Sequence, residues 1–337
     1  MSRTAVVILN WNGKSYLEQF IPSVLEHLPP DDALYVADNG SEDGSVEMLR
    51  ERWPSQVRLV LLDRNYGFTG GYNRAIAGIE KTEEKFSYYL LLNSDIEVTP
   101  GWLAGLEAFM DARPRCAVCA PKILSYAQRG WFEHAGASGG FVDRWYFPYC
   151  RGRILATIEE DRGQYDTPCR VFWASGAAFM IRSEVWRSQG GLDESFFAHM
   201  EEIDLCWRIM LAGWEIWVNP ASAVYHVGGG TLPNNSPRKL YLNFRNNLLM
   251  MYKNLPSGPR ARIVLFRMCV DGAIACVYLL TGKFSFFRSV VRAHRDFRKM
   301  RKNVTVSVQD CPVPRSKVSI VQLALRGFRY PSGKVGE

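Results

Sequence analysis

Residues 1–95 contain four short apolar segments. Polar residues follow each of them, and helical patterns lie between them. The segments span residues 5–9, 33–37, 57–62 and 88–92. Short apolar runs that alternate with helical patterns are typical of parallel strands joined by crossover helices. The sequence therefore predicts an α/β fold, in which a mostly parallel sheet has helices on both faces.

Polar residues stand at the ends of all four predicted strands. In chain order they are Asn10 and Asn12, Asp38 and Asn39, Asn65, and then Asn93, Ser94 and Asp95. In open parallel sheets, ligands bind beyond the carboxyl ends of the strands. We therefore expect these side chains to line one binding site. Asp95 taken alone is weak evidence, because Asp at a strand end often only forms a turn.

A glycine-rich segment, 67-GFTGG-71, follows the third predicted strand and leads into a predicted helix over 72–79. Its glycines lack the spacing of a dinucleotide-binding fingerprint, which would also follow the first strand rather than the third. Gly70 and Gly71 still allow a phosphate to approach the backbone at a helix N-terminus.

The second half of the chain carries an acidic cluster and a histidine. Glu201, Glu202 and Asp204 open a predicted helix over 201–212, where one or two acids are explained by the helix dipole. A cluster this dense also suits a general base that faces a substrate hydroxyl. His226 ends a short predicted strand before three glycines, and this position suits either a structural histidine or a metal ligand.

The second half of the chain is predicted to contain a long loop, further strands and a boundary. Residues 125–170 are predicted to form an irregular loop insertion over the site, and residues 172–181 a core strand. Two separate strands are predicted over 214–218 and 223–226. A Pro/Gly-rich boundary near 254–259 separates a body from a basic appendage.

Positive charge is concentrated in that appendage. Residues 253–302 contain 12 Lys and Arg and 2 Asp, a net charge of +10, whereas the whole chain carries +7. A basic segment on a near-neutral body favours docking to an anionic partner. No zinc-finger, RNP-type or basic-zipper signature accompanies it, so we do not expect nucleic acid to be that partner.

Two stripes at helical spacing run along residues 284–302. The apolar stripe is Phe286, Val290, Ala293, Phe297 and Met300, and the basic stripe on the opposite face is Arg288, Arg292, Arg295, Lys299 and Lys302. The preceding apolar stretch, 263–280, is interrupted by Arg267 and Asp271, which favours an in-plane or core-packed helix over a membrane span. Docking on anionic lipid and packing on the body both stay open.

The N-terminus and the cysteines suggest a compartment. The first residues, 1-MSRTAVVILNWNG-13, are typical of a first strand rather than of a signal peptide. The 8 cysteines are scattered through the chain and are interpreted as reduced thiols. We expect a cytoplasmic protein.

Several motifs in one order carry a family resemblance. They are 7-VILNWNG-13, 38-DNGSEDGS-45, 65-NYGFTGGYN-73, 91-LLNSD-95, 191-GLDESFF-197, 201-EEIDLCWR-208 and 226-HVGGGT-231. Together they resemble inverting glycosyltransferase family 2, in its rhamnosyltransferase-like branch, over roughly residues 3–250. The resemblance implies a GT-A fold, with a catalytic domain over 1–254 (nucleotide-sugar half 1–124, acceptor half 125–254) and a basic helical region over 255–337.

The resemblance also implies roles for particular residues. The acid that recognises the nucleotide base falls on Asp38, and the metal-binding motif falls on 93-NSD-95, with Asp95 as the direct ligand. His226 is implied to complete a site for Mn²⁺ or Mg²⁺. The catalytic base falls on Glu202, with Glu201 as the alternative. The residues implied to bind substrate are Asn10, Asn12, Asp38, Asn39, Asn65, Gly70, Gly71, Asn73, Asn93 and Ser94.

The implied activity is a single in-line displacement at an anomeric carbon. The donor would be a nucleoside diphosphate sugar, dTDP-L-rhamnose being the first candidate, and the acceptor a glycan or a lipid-linked glycan in cell-surface polysaccharide synthesis. Such an enzyme would dock as a peripheral protein on the cytoplasmic face of the plasma membrane.

Two other functions stay open at this point. A nicotinamide-dependent oxidoreductase uses a similar sheet, but 10-NWNG-13 stands where its glycine-rich turn would follow the first strand. A catalytically silent sugar- or nucleotide-binding scaffold would keep the same fold. The presence of Asp38, Asp95, Glu202 and His226 argues against the scaffold.

Overall fold

A mixed sheet of nine strands forms the centre of the computed structural model, within the residues that the structure describes: 3–133, 139–143, 145–154, 157–228 and 236–306. The strands in the described residues are β1 Thr4–Asn10, β2 Ala33–Asp38, β3 Val57–Leu61, β4 Tyr88–Asn93, β5 Ile96–Val98, β6 Cys116–Ser125, β7 Gly140–Val142, β8 Pro148–Cys150, β9 Arg153–Ile154, β10 Thr157–Ile158, β11 Cys169–Arg170, β12 Ala178–Arg182 and β13 Glu215–His226. The helices there are α1 Lys14–Glu26, α2 Ser45–Arg52, α3 Gly67–Glu80, α4 Trp102–Asp111, α5 Ser183–Gln189, α6 Glu201–Leu211, α7 Pro237–Asn254, α8 Ser257–Leu280 and α9 Phe284–Met300.

The strand order places the predicted polar residues side by side. The main sheet runs β11-β13-β6-β12-β4-β1-β2-β3, with β5 paired to β13. Strands β4, β1, β2 and β3 are parallel neighbours, so Asn10 pairs with Asp38 and Leu9 with Asn93. Strand β12 is antiparallel to both β4 and β6, whereas β13 is parallel to β6. The predicted mostly parallel sheet is confirmed.

Both faces of the sheet are buried, which explains why its strands are apolar runs rather than alternating patterns. Along β1, Val6 faces one core cluster together with Leu34 and Leu90. Val7 faces the other cluster. Successive side chains of a strand point to opposite faces, so each strand supplies both cores.

Three element predictions are corrected. Helix α3 begins at Gly67 rather than near residue 72, because Asn65 Oδ1 accepts the Gly67 N–H at 2.7 Å and starts the helix earlier. The insertion over 125–170 is not wholly irregular, since β7 to β10 pair in a small antiparallel sheet. The two strands predicted over 214–218 and 223–226 are one strand, β13, with a register shift between Asn219 and Ala223.

A further strand is shorter than predicted. The core strand expected over 172–181 begins only at Ala178 as β12. The preceding residues 175–177 form a turn, in which the Ala177 N–H is donated to Ser175 Oγ at 3.3 Å. This turn passes the end of β4, where the Asn93 N–H is donated to Ala177 O at 2.9 Å.

The described part of the basic region contains two helices, α8 and α9, that pack with α7, whereas residues 307–337 lie outside the described residues. In α9 the residues Val290, Ala293 and Phe297 are buried, while Arg288 and the other residues of the basic stripe within the helix are exposed. The predicted two-faced helix is confirmed, and its apolar face is already covered by protein.

Helix α8 also has two distinct faces. Arg267 Nε donates to Asp271 Oδ1 at 2.7 Å and Arg267 Nη1 to Asn247 Oδ1 at 2.7 Å, so both charges that interrupt the apolar stretch are buried against α7. On the other face Leu265 and Leu280 are exposed by 63% and 86%. By length and composition α8 passes the test for a membrane-crossing helix, a test that core helices also pass.

Candidate active site

The ends of β1 and β2 form a polar floor around Asp38. Asn10 Nδ2 donates to Asp38 Oδ1 at 3.0 Å, and the Ser41 N–H is donated to Asp38 Oδ2 at 2.9 Å. Asp38 is 3% exposed and Asn10 is fully buried. In the described part of the chain Asn10 Oδ1 has no hydrogen-bond partner. A buried acceptor without a partner is costly unless a ligand donor satisfies it.

The other polar residues at this edge shape its loops. Asn39 Nδ2 donates to Asn65 Oδ1 at 3.2 Å and to Gly67 O at 3.1 Å, and Asn39 Oδ1 accepts the Tyr66 N–H at 3.0 Å. Asn12 Oδ1 accepts the Glu42 N–H at 2.8 Å. The structure therefore brings these asparagines together with Asp38. Their predicted contacts with substrate stay a prediction.

The glycines of α3 serve close packing. A Cβ on Gly71 would lie 2.7 Å from Leu9 Cδ1, so the helix can approach β1 only with glycine there. A Cβ on Gly70 would meet Tyr66 Cβ at 3.0 Å. Asn73 Nδ2 donates to Leu192 O at 2.7 Å, and Asn73 Oδ1 accepts the Leu192 N–H at 3.0 Å. These two hydrogen bonds connect α3 to the loop before α6. The substrate contacts predicted for these three residues also stay predictions.

Asp95 and His226 meet where β5 begins, because β5 pairs with the end of β13 and His226 lies opposite Ile96. Asp95 Oδ1 lies 3.1 Å from His226 Nε2, and Asn93 Nδ2 lies 3.4 Å from the same nitrogen. Asp95 is 7% exposed and His226 5%. The two residues predicted to share a metal are thus adjacent and buried. Ser94 Oγ lies near Gly13, at 3.6 Å from the position of a Cβ there.

Glu133 is a neighbour of this pair that the sequence did not suggest. Its Oε2 lies 3.3 Å from His226 Nδ1, so the imidazole stands between two carboxylates. Burial opposes the charged imidazolium, but the hydrogen bonds and charges of Asp95 and Glu133 outweigh it and raise the pKa of His226 to about 10. A carboxylate on the far nitrogen of a ligating histidine fixes its orientation. Glu133 and His226 are far apart in sequence, and no spacing pattern links them.

The donor set fits a hard divalent cation. Carboxylate oxygen and imidazole nitrogen are suitable ligands for Mn²⁺. The 3.1 Å between Asp95 Oδ1 and His226 Nε2 is a hydrogen-bond distance, so His226 would have to lose the proton on this nitrogen before the nitrogen could bind a cation. Within the described residues no group of three or more His, Cys, Asp or Glu converges on one point. Substrate oxygens and water would therefore complete the coordination, as is usual for Mg²⁺.

Glu201 and Glu202 lie at the N-terminus of α6 with different surroundings. Burial, reinforced by the charge of Glu202, raises the pKa of Glu201 well above its usual range. Burial raises the pKa of Glu202 to about 7, although backbone N–H groups at the helix start work against it. Glu201 is 4% exposed, whereas Glu202 is half-buried. Glu202 Oε2 is itself buried and has no hydrogen-bond partner in the described residues, and a carboxylate with a pKa near neutral is suited to act as a general base.

Asp204, the third acid of this helix, has a structural role. It is fully buried, and its Oδ2 accepts from Arg208 Nε at 2.9 Å and from Lys253 Nζ at 3.0 Å. Asn254 Nδ2 donates to Oδ1 at 2.8 Å. Asp204 therefore fastens α6 to α7 and is fully occupied by these partners.

The turn at Gly176 connects Glu202 to the end of β4. A Cβ on Gly176 would lie 3.7 Å from Glu202 Cβ and 3.3 Å from Phe68 Cζ, and the next residue bonds the Asn93 N–H. Gly13 similarly touches both Asn10 and Ser94. The floor at Asp38, the pair of Asp95 and His226, and Glu202 thus lie around one region beyond the carboxyl ends of the parallel strands.

Comparisons with known proteins identify the family of the chain. The family model described as glycosyl transferase family 2 matches residues 5–186, more than half of the chain. A relative from Mycobacterium tuberculosis, N-acetylglucosaminyl-diphospho-decaprenol L-rhamnosyltransferase, is 27% identical over 249 residues, which cover 67% of this chain and 76% of the relative.

Two solved structures are similar in fold. GalNAc-T7 with UDP, GalNAc and Mn²⁺ has a TM-score of 0.56 at 17% identity, over 75% of this chain and 48% of that one, so this chain spans about half of its length. A mannosyltransferase from Pyrobaculum calidifontis with GDP-Man and Mn²⁺ has a TM-score of 0.54 at 11% identity, over 88% and 87% of the two chains. The protein has the GT-A fold and belongs to glycosyl transferase family 2.

Proposed function

We propose that the protein is an inverting, metal-dependent hexosyltransferase that moves a sugar from a nucleoside diphosphate donor to a glycan or lipid-linked acceptor. The observation that carries the proposal is the position of Glu202. Glu202 lies at a helix start with a buried Oε2 that has no hydrogen-bond partner in the described residues, and the Gly176 turn connects it to the strand end before Asp95.

In this reaction Glu202 accepts the proton of an acceptor hydroxyl. The hydroxyl oxygen forms a bond to the anomeric carbon while the bond from that carbon to the diphosphate oxygen breaks. One displacement inverts the centre once, and a retaining route through a covalent intermediate would need a nucleophile on the other face. A base with a pKa of about 7 is effective at neutral pH because it is partly ionised there and still basic.

The donor lies at the strand ends. Asp38 accepts a hydrogen bond from the N3–H of a pyrimidine base, and Asn10 Oδ1 offers a second unused acceptor beside it. Asp95 and His226 would hold the divalent cation, which would neutralise charge on the diphosphate leaving group. Glu133 keeps the His226 ring aligned toward Asp95. Both similar solved structures hold Mn²⁺, which supports use of a divalent cation by this fold.

The sugar is proposed from the relatives. The name of the mycobacterial relative gives L-rhamnose as the sugar and a diphospho-decaprenol lipid as the acceptor carrier. The two structural neighbours hold UDP and GDP-Man, so the fold accommodates different bases and sugars. We therefore place dTDP-L-rhamnose first among the donors and a lipid-linked glycan first among the acceptors.

A panel of nucleoside diphosphate sugars tests this proposal. Binding raises the unfolding temperature by mass action, so the true donor should do so with Mn²⁺ present and less in EDTA. We expect the same donor, and no other to the same extent, to release nucleoside diphosphate when an acceptor is added. Stabilisation by a donor without release of diphosphate under any condition would favour the silent scaffold instead.

The membrane part of the proposal rests on the outer surface of α8 and α9. The apolar face of α9 is packed against protein, so the groups available to a lipid surface are its basic stripe and the exposed apolar face of α8. Leu280 and Phe284, exposed by 86% and 58%, lie at the junction of the two helices. Such a surface suits shallow, salt-sensitive docking on anionic lipid, where a lipid-linked acceptor is presented.

Vesicle binding checks the lipid docking. Replacing Arg288, Arg298 and Lys299 by Gln removes three exposed charges of α9, each contributing about 1 kcal/mol near an anionic surface, so we expect roughly 100-fold weaker binding. The matched control replaces Arg50, Arg52 and Lys81, exposed elsewhere, and should bind as the wild type does. Equal binding to zwitterionic vesicles would show that α8 and α9 only cap the catalytic domain.

A further inference from the structure

The loop that leads into α6 has an unusual backbone. Phe197, His199 and Met200 have φ values of 66°, 70° and 73°, in the left-handed region that non-glycine residues rarely adopt. Met200 is the N-cap of α6 and forms no side-chain cap. Three such residues within four positions persist only where neighbouring structure holds them. The conformation that presents Glu202 therefore depends on contacts from elsewhere in the chain.

Asn246 of α7 supplies the central contact. Its side chain is fully buried, and Nδ2 lies 3.0 Å from Phe196 O, 2.8 Å from Ala198 O and 2.7 Å from His199 O. An amide nitrogen carries two hydrogens, so it is shared among three carbonyl oxygens. All three belong to the loop before α6.

Arg245 extends the same contact. Its Nη2 donates to Phe196 O at 2.8 Å and to Ser195 O at 3.2 Å, and its Nε donates to Asn246 Oδ1 at 2.8 Å. The guanidinium group thus orients the Asn246 amide so that its nitrogen faces the loop. Two adjacent side chains of α7 hold the carbonyl groups that the left-handed turns direct toward that helix.

The held loop touches the donor side as well. Phe197 O accepts the N–H groups of Phe68 and Thr69, at 2.9 and 3.3 Å, at the start of α3. A Cβ on Gly67 would lie 2.6 Å from Phe197 Cδ2, so glycine is required at this contact. The loop therefore connects the start of α6, which carries Glu202, to the start of α3.

We infer that Arg245 and Asn246 are positioning residues for transfer, which hold the 195–200 loop so that Glu202 faces the acceptor hydroxyl. This inference rests on the proposed function of Glu202. Neither side chain touches the reacting atoms, and both lie on α7, outside the segment that the family model matches.

The test compares Asn246→Ala with Asn247→Ala. Asn247 is the next residue of α7, is 1% exposed, and directs its Oδ1 to Arg267 of α8. Its Nδ2 donates to the side chain of Met200, at 3.9 Å from Sδ, and within the described residues it bonds none of the loop carbonyl groups that Asn246 holds. We expect Asn246→Ala to lower kcat about 100-fold, since a misplacement of about 1 Å costs that much, with the donor KM changed less than threefold. Asn247→Ala should keep kcat within threefold even if its Tm falls equally.

Hydrogen–deuterium exchange gives a second measurement that needs no activity. Asn246→Ala should speed amide exchange over residues 197–203, and Asn247→Ala should not. If the wild type transfers no sugar, the proposed function fails. Hydrogen–deuterium exchange then still tests whether Arg245 and Asn246 hold the loop over residues 195–200. If Asn246→Ala does not fold, Arg245→Ala carries the same test. The inference would be overturned if a folded Asn246→Ala or Arg245→Ala variant kept the wild-type kcat, or if its amide exchange over residues 197–203 were unchanged.

Discussion

Glu202→Gln is expected to lower kcat by about 10²–10⁴-fold while the donor still binds. The amide has the size of the carboxylate but cannot accept the acceptor proton. Because burial raises the pKa of Glu202 to about 7, the wild-type rate should also fall about tenfold per pH unit below that value, as the carboxylate becomes protonated. Steady-state kinetics across pH, with donor affinity measured separately, check both expectations.

Glu201→Gln is the matched comparison. Glu201 is more deeply buried than Glu202, and burial together with the charge of Glu202 keeps its carboxyl protonated over a wider pH range. Its replacement by Gln should therefore cost much less activity. A larger loss from Glu201→Gln than from Glu202→Gln would show that the register of the acidic pair has been misassigned.

Asp95→Ala is expected to lower transfer by roughly 10²–10³-fold and to weaken donor binding in Mn²⁺. Charge stabilisation by a bound cation is worth several kcal/mol, and Asp95 is the carboxylate beside His226 that can hold it. His226→Ala should give a similar loss. Donor affinity with and without Mn²⁺, measured by calorimetry, separates lost metal binding from lost folding.

Glu97→Gln provides the control for this prediction. Glu97 lies in β5, two positions after Asp95, but pairs with Arg129 at 2.8 Å on the surface. Its replacement should leave both activity and the Mn²⁺ effect unchanged. Full activity of the wild type in EDTA would contradict the metal assignment outright.

The strand-end part of the site was predictable because the register of a parallel sheet is regular. An apolar run that ends in polar residues indicates where a strand ends, and parallel neighbours bring those ends to one edge, as Asn10 and Asp38 show. The basic and apolar stripes of α9 were also predictable, because the spacing of residues along a helix assigns them to opposite faces.

The remaining parts depend on contacts that no local pattern encodes. Glu133 reaches His226 from an insertion without periodicity, and Asn246 is an ordinary polar residue until the left-handed loop is placed beside it. The early start of α3 at Gly67 was missed because glycine usually interrupts helices, whereas here Asn65 and the contact with Phe197 favour it.

The anomeric configuration of the product tests the central proposal most directly. After the donor panel identifies the sugar, the one-bond carbon–proton coupling at the anomeric carbon can be measured by NMR in the product and in the donor. A single displacement assisted by Glu202 predicts opposite configurations in the two molecules, with release of one nucleoside diphosphate per linkage formed. A product that retains the configuration of the donor would contradict the mechanism.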